Sequence, residues 1–152
     1  MMPNAHTLLG LSLTLLALTP AQAAPLQLAL PAQPFHAEGQ VRYQNGQLHL
    51  NGTELTLTDA TRWEDGLTPQ QLDGQWLEIE GQRHGDSYEV SELERDRPEA
   101  EIELAGWVAP DGTLWGYRAS DTNLGHLVGR RVALECRRDP QSGWLSDCRP
   151  DH

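Results

Sequence analysis

An alternation of apolar residues, interrupted by two tight-turn signals, constrains the fold more than any other feature of the chain. From Val41 to Leu57 apolar residues recur at every second position, and Asn45-Gly46 and Asn51-Gly52 interrupt them. A period of two places alternate side chains on one face of a strand, and Asn-Gly is the pair that two-residue hairpin turns favour. The segment therefore predicts three antiparallel strands.

A short helix and two more strands are predicted next. Thr68 can cap a helix, Pro69 suits its first position, and Gly74 can end it. Strands are then expected around 76–79 and 88–93. The order β-β-β-short α-β-β is that of the small OB-like antiparallel barrel, whose short helix lies between strands three and four. We therefore expect an all-β protein.

The second half of the chain echoes the first. The stretches from Glu38 and from Glu103 both contain an acid, a Gly, a Val, a two-residue turn ending in Gly, and a Leu. We interpret this as an OB-like unit at 36–94, an acidic linker at 95–100 and a second, degenerate unit at 101–149. Strands of the second unit are expected near 101–108, 113–118, 131–136 and 143–148.

The N-terminal segment predicts export. Residues 1–23 contain no Asp, Glu, Lys or Arg, an apolar run covers Leu8 to Leu18, and Ala21-Gln22-Ala23 follows. A short apolar run before a small-x-small sequence is typical of a cleaved signal peptide. We expect cleavage before Ala24, an N-terminal linker at 24–35, no membrane span after cleavage, and a periplasmic or extracellular location.

The two cysteines agree with export. Cys136 and Cys148 flank a turn that contains Pro140 and Gly143. In an oxidising compartment such a pair favours a disulfide, worth about 3 kcal/mol for a loop of this size. Two free thiols or a metal-binding pair are the alternative.

The charge is strongly acidic and unevenly distributed. The chain has 22 acidic residues, 11 arginines, no lysine and a net charge of −11. Residues 38–103 contain 16 acids and 5 arginines, whereas 104–152 contain six of each. Nucleic acid is disfavoured because phosphate binding requires a basic surface, while an acidic surface attracts basic ligands. A basic envelope protein is therefore a candidate partner.

Three sets of residues are candidates for a binding site. His36, His49 and His84 could bind copper or zinc with nearby acids, although surface histidines are the default interpretation. The acid-rich segment 89–103 could bind Ca²⁺ or a basic protein, but it lacks the spacing of a calcium loop and is otherwise a solvated linker.

The third set is Trp63 with Glu64 and Asp65, because Trp can stack on sugars or peptides and OB barrels bind oligosaccharides. Packing in the core is the alternative for Trp63. Of the other tryptophans, Trp76, Trp107 and Trp144 lie within strand patterns and are expected in the core.

Three phrases of the sequence resemble a known family. The segments 59–66 (DATRWEDG), 72–81 (LDGQWLEIEG) and 88–94 (YEVSELE) are similar to a bacterial domain-of-unknown-function family of exported proteins. The resemblance covers 38–94 and implies OB-like β units that often occur in tandem. It implies no activity, catalytic residue or cofactor.

No set of residues has the pattern of a catalytic site. Ser120, Asp121 and His126 occur together, but no motif such as G-x-S-x-G surrounds the serine. We therefore expect a non-catalytic binding module without a cofactor, whose acidic first unit recognises a protein or a glycan. A periplasmic copper- or zinc-binding protein is the alternative, and a structural stabiliser without a ligand is a weaker one.

Overall fold

Residues 31–152 are described by the computed structural model, so the predicted signal peptide lies outside the described residues. They form an all-β structure with nine strands in one mixed sheet and two short 3₁₀ turns, Pro69–Gln71 and Leu124–Leu127. The strands are β1 (Gln33–Gln44), β2 (Gln47–Leu50), β3 (Thr53–Leu55), β4 (Arg62–Trp63), β5 (Trp76–His84), β6 (Ser87–Arg95), β7 (Glu101–Trp107), β8 (Arg131–Arg138) and β9 (Leu145–Pro150).

The predicted three-stranded antiparallel unit is confirmed. Strand β1 pairs with β2, and β2 pairs with β3. At the first turn Asn45 and Gly46 have φ of 54° and 78°, and at the second Asn51 and Gly52 have φ of 46° and 88°. Two successive positive φ values are what the twist of a two-residue hairpin requires, and Asn and Gly tolerate them best.

Strand β1 connects the two halves of the sheet. Its first eight residues pair with β5, its last four pair with β2, and His36 also lies opposite Ala105 of β7. The order along the sheet is β4-β6-β5-β1-β7-β8-β9, with β2 and β3 branching from β1. The first strand starts at Gln33 and buries Phe35, so it includes the end of the segment expected to be a linker.

The sheet is not closed into a barrel. Residue Thr56, just after β3, forms a single parallel bridge with Glu89 of β6. Two hydrogen bonds accompany it, from the Thr56 amide to the Tyr88 carbonyl and from the Val90 amide to the Thr56 carbonyl. One bridge is not a ladder, so β3 and β6 are not paired with each other along the strands, and the sheet stays open between them.

The predicted short α-helix is wrong. The segment forms only a three-residue 3₁₀ turn, Pro69–Gln71. Gly74 has φ of 80°, which is not a helical value, so a helix that starts at Pro69 cannot extend through Gly74. So few residues cannot offset the cost of nucleating an α-helix, and a tighter turn results.

Three of the four strands expected in the second half are present, as β7, β8 and β9. The strand expected at 113–118 is wrong, because Gly112, Trp115 and Gly116 all have positive φ. Leu114 instead forms isolated bridges with Val108 and Tyr117. The interpretation of 36–94 and 101–149 as repeated units stays a prediction.

The predicted disulfide is confirmed. Cys136 of β8 is bonded to Cys148 of β9, and Cys136 is buried in the core. The bond therefore fastens the last strand to its neighbour. Within residues 31–152 there is no helix of the length and apolar character needed to span a membrane.

A β-bulge explains why Val90 and Leu93 are both buried although they lie three residues apart. Gly81 pairs with Val90 and Glu80 pairs with Glu92, so Ser91 is the extra residue. The bulge requires a close approach at Gly81, where a Cβ atom would lie 2.1 Å from the Glu89 carbonyl oxygen and 2.5 Å from the Phe35 ring. Beyond the bulge, Glu92 and Glu94 lie on the outer face of the sheet.

We predict that Gly81→Ala destabilises the protein by about 1–3 kcal/mol, because the neighbouring backbone cannot move without disturbing the bulge. Urea unfolding measures this change. Gly125→Ala is a matched control, since the nearest atom to its Cβ would be a side-chain oxygen of Asn123 at 3.0 Å. Equal losses for the two variants would contradict the proposed role of Gly81.

Candidate functional site

A row of carboxylates crosses the outer face of the sheet. Glu38 of β1 lies directly opposite Glu78 of β5, and Glu78 lies opposite Glu94 of β6. On the other side of β1, Glu103 of β7 lies opposite Glu135 of β8. The Glu103 amide donates to Glu38 Oε1 at 3.1 Å, which joins the two groups. We call these five residues the acidic row.

The acidic row places like charges next to one another. Side chains directly opposite each other on antiparallel strands have Cβ atoms about 4.5–5.5 Å apart, and like charges there destabilise the sheet. Beside the row, Glu80 lies opposite Glu92. Among residues 31–152, Arg149 of β9 pairs with Glu135 at one end of the row, and Arg62 of β4 pairs with Glu92 beside the other end.

His36 lies at the centre of this surface. Its Nδ1 atom is 3.8 Å from Glu78 Oε1 and 3.9 Å from Glu80 Oε1. Its Nε2 atom is 3.5 Å from Glu38 Oε1, is buried, and has no hydrogen-bond partner. Burial alone would lower the pKa of His36, but the three carboxylates outweigh burial and raise the pKa above its ordinary value.

A shallow cleft of about 350 Å³ surrounds His36 and is strongly acidic. Burial raises the pKa of Glu78; His36 opposes the shift, and Glu94, Glu38 and Asp96 add to it. No arginine lines the cleft; its lining residues are His36, Glu38, Glu78, Asp96, Glu99, Glu101, Glu103 and Glu135. The cleft therefore favours cations.

His36, Glu78 and Glu80 are placed to hold a metal ion. One ligand atom from each lies within 4.8 Å of the others, and this is the one such group found among residues 31–152. Tetrahedral zinc, with bonds of about 2.0–2.2 Å, needs ligand atoms about 3.4 Å apart. Glu80 is 56% exposed and can rotate inward. Because Nδ1 faces this pair, Nε2 faces Glu38, the carboxylate that would orient the ring.

The other predicted metal ligands do not join His36. His49 lies on β2 opposite Arg42 and Glu54, and His84 is exposed at the end of β5. The predicted set of three histidines is thus separated, and Glu78 and Glu80 occupy the positions near His36. Strand register causes this, since His36 pairs directly with Glu80.

Trp63, Glu64 and Asp65 have structural contacts. Trp63 is half-buried against the core, the Glu64 amide donates to the Leu93 carbonyl, and Asp65 Oδ2 accepts from the Arg95 amide at 3.2 Å. None of the three lines the acidic cleft. A ligand at these residues stays a prediction.

The expected burial of the tryptophans is only partly correct. Trp76 is 8% exposed and Trp107 is half-buried, as expected for strand residues. Trp144 lies just before β9 rather than within it and is 46% exposed, so its placement in the core is wrong. Trp115 is buried and donates from Nε1 to the Ala105 carbonyl.

The acidic row was not among the predicted sites, although the sequence contains a signal for it. The patterns Glu78-Ile79-Glu80, Glu92-Leu93-Glu94 and Glu101-Ile102-Glu103 each place an apolar residue between two acids. On a strand such a triplet buries the centre and exposes both acids on one face. Only the register shows that these triplets are neighbours.

No family model, curated protein or solved structure matches this chain.

We predict that, in metal-free buffer, stability falls as the pH rises from about 6 to about 8.5. The pKa of His36 is raised in the folded protein. The protonated His36 therefore stabilises the fold fully below pH about 6.5, the ordinary pKa of histidine, and this stabilisation is lost as the pH rises above that value. Glu78 acts in the same direction at lower pH, because its pKa is also raised. Urea unfolding across this range measures the slope.

His36→Gln should flatten this pH dependence between about 6 and 8.5, whereas His49→Gln, outside the acidic row, should keep it. A slope in His36→Gln equal to that of the wild type would show that another group titrates.

Proposed function

We propose that this protein is a non-catalytic binding module whose acidic row recognises a basic partner protein of the bacterial envelope. The observation that supports this most is the set of carboxylates placed directly opposite one another across β6, β5, β1, β7 and β8. The row contains residues of both halves of the chain, so the recognition surface extends beyond the first unit.

The energetics favour a cationic partner. Each like-charge pair costs stability in the free protein, and a partner that supplies Arg or Lys side chains removes that cost on binding. Among residues 31–152 no arginine pairs with Glu38, Glu78 or Glu103, whereas Glu92 and Glu135 at the edges of the surface each have an arginine partner. A partner is therefore expected to contact the centre and to associate rapidly at low salt.

The proposed location and fold relationship are consistent with this function. The disulfide agrees with an oxidising compartment. Strands β1, β2, β3, β5 and β6, with the Thr56–Glu89 bridge, support an open OB-like arrangement. Export and the resemblance to the family of exported domains stay predictions.

We predict that the triple variant Glu78→Gln, Glu94→Gln, Glu103→Gln weakens binding to a poly-lysine peptide by about tenfold or more at low salt. A surface-matched control, Glu54→Gln, Asp59→Asn, Asp151→Asn, changes the net charge equally at exposed positions outside the row. Biosensor binding and pull-down from an envelope extract, at low and high salt, measure the effect.

The control triple variant should bind almost as the wild type does. Equal losses in the two triple variants would mean that net charge alone acts, and unchanged binding by the first would remove the acidic row from recognition. The pull-down then decides whether an envelope protein shows the same dependence.

A second candidate function is binding of Zn²⁺ or Cu²⁺ by His36, Glu78 and Glu80. The observation in its favour is that their ligand atoms converge, with Glu38 at the opposite ring nitrogen. Imidazole and carboxylate suit both ions, and three protein ligands leave one position open. The surrounding acids raise the local concentration of cations.

We predict that calorimetric titration detects one Zn²⁺ or Cu²⁺ site that His36→Gln weakens by about tenfold or more. Glu80→Gln should weaken it as well. His49→Gln is the matched control and should leave the affinity unchanged. If His49→Gln lowers the affinity as much as His36→Gln, the site differs from the one proposed; if neither does, binding is adventitious.

A further inference from the structure

A second cleft has the opposite charge to the acidic row. It has a volume of about 450 Å³ and lies between the end of β8 and the turns around 116–118 and 142–144. Arg42, Arg118 and Arg138 line it with Trp76 and Trp144, and no acidic residue lines it. In a chain with twice as many acids as arginines, this grouping marks a distinct site.

Arg138 and Trp76 form the inner wall of the cleft. The Arg138 Cζ atom lies 4.6 Å from the centre of the Trp76 ring, an arrangement typical of a cation–π contact. Arg138 makes no ion pair within residues 31–152, and its Nε atom is buried without a hydrogen-bond partner.

Trp76 is more than nine-tenths buried, and its Nε1 atom is buried and also lacks a partner. Buried donors are normally satisfied, because an unpaired one costs about 1–3 kcal/mol. Two unpaired donors therefore lie in one wall of the cleft, and the contacts within residues 31–152 do not offset their cost.

Trp144 forms the outer wall and is held in place. The Asp139 side chain accepts hydrogen bonds from the amides of Gln141 and Ser142, and the Ser142 hydroxyl accepts from the Trp144 amide. The 46% exposure of Trp144 therefore belongs to an ordered turn. A flat, exposed indole is a surface on which a sugar ring can stack.

We propose that this arginine–tryptophan cleft binds an anionic saccharide, a sugar ring that carries a carboxylate or a phosphate. Arg138 and Arg118 bind the oxyanion, while Trp144 packs against the ring. Guanidinium groups match the geometry of both oxyanions and form charge-assisted hydrogen bonds with them.

Other residues of the surface favour an anionic saccharide as the ligand of this cleft. On the exposed rim of the cleft, Arg42 Nε forms an ion pair with Asp73 Oδ1 at 3.7 Å. The other two arginines that line the cleft, Arg118 and Arg138, have no ion pair among residues 31–152. The acidic row repels an anion elsewhere on the sheet. Polar side chains of Gln40, Asn51 and Ser142 complete the lining, which suits a saccharide better than an apolar ligand.

The test is titration of the purified protein with glucuronic acid oligosaccharides, glucose 1-phosphate, a neutral glucose oligomer and a glutamate-rich peptide, followed by tryptophan fluorescence and calorimetry. We expect the anionic sugars to bind and the neutral oligomer not to bind. The first two probes distinguish a carboxylate from a phosphate. Binding of the acidic peptide in preference to both sugars would overturn the assignment to a saccharide.

The variants locate the site. Arg138→Gln and Arg118→Gln should each weaken sugar binding by about tenfold or more, and Trp144→Ala should weaken it similarly. Arg130→Gln, exposed and outside the cleft, is the matched control. Arg118 is exposed, so its variant stays informative if the Arg138 variant is unstable.

Unchanged affinity in both arginine variants would overturn the proposal. The inference does not rest on the proposed function, and the triple variant of the acidic row should retain binding of the anionic sugars.

Discussion

The pairing of β1 on both of its sides is the constraint on which the rest of the structure depends. One edge of this strand pairs with β5, where the Val41 amide also donates to the Gln75 carbonyl, and the other edge reaches β7 at His36 and then pairs with β2 from Val41 to Gln44. Alternate side chains of β1 contribute to two different surfaces. Phe35, Ala37 and Val41 are buried in the core, while His36 and Glu38 face outward. Gly39 lets the strand approach Tyr117, whose hydroxyl donates to the Glu38 carbonyl. The core and the acidic row are therefore two faces of one strand.

Local signals in the sequence predicted the local parts of this structure. The two Asn-Gly turns and the alternation between them determine β1, β2 and β3, because both the turn geometry and the period of two are properties of neighbouring residues. The disulfide was likewise predictable from two cysteines around a turn in a chain predicted to be exported. The errors arise where tertiary geometry prevailed. At 113–118 positive φ values at Gly112, Trp115 and Gly116 interrupt a strand-like pattern, and Trp144 is exposed because its turn ends before β9 begins.

The candidate sites depend on register, which the sequence does not state. His36 was predicted as a metal ligand, and the carboxylates near its Nδ1 atom are those of Glu78 and Glu80, more than 40 residues away, because β1 and β5 pair in the register His36 to Glu80. A slip of one residue would have directed the same acids into the core. The bulge at Ser91 has a similar effect, since it returns Glu92 and Glu94 to the outer face after Val90. Composition predicted an acidic protein. The pairing of five strands is what places acids that are distant in the sequence next to one another in the acidic row.

The distribution of charge distinguishes an accidental surface from a selected one. Arginines pair with acids at the flanking strands, where Arg62 and Arg149 lie, whereas no arginine among residues 31–152 pairs with the row at its centre. Meanwhile Arg42, Arg118 and Arg138 line a cleft that no acid lines, and Arg138 forms no ion pair within residues 31–152. Folding alone gains nothing from this separation, since exchanging charges between the two places would relieve repulsion in both. The separation costs stability, and the ligands of opposite charge that we propose for the two surfaces would offset that cost on binding.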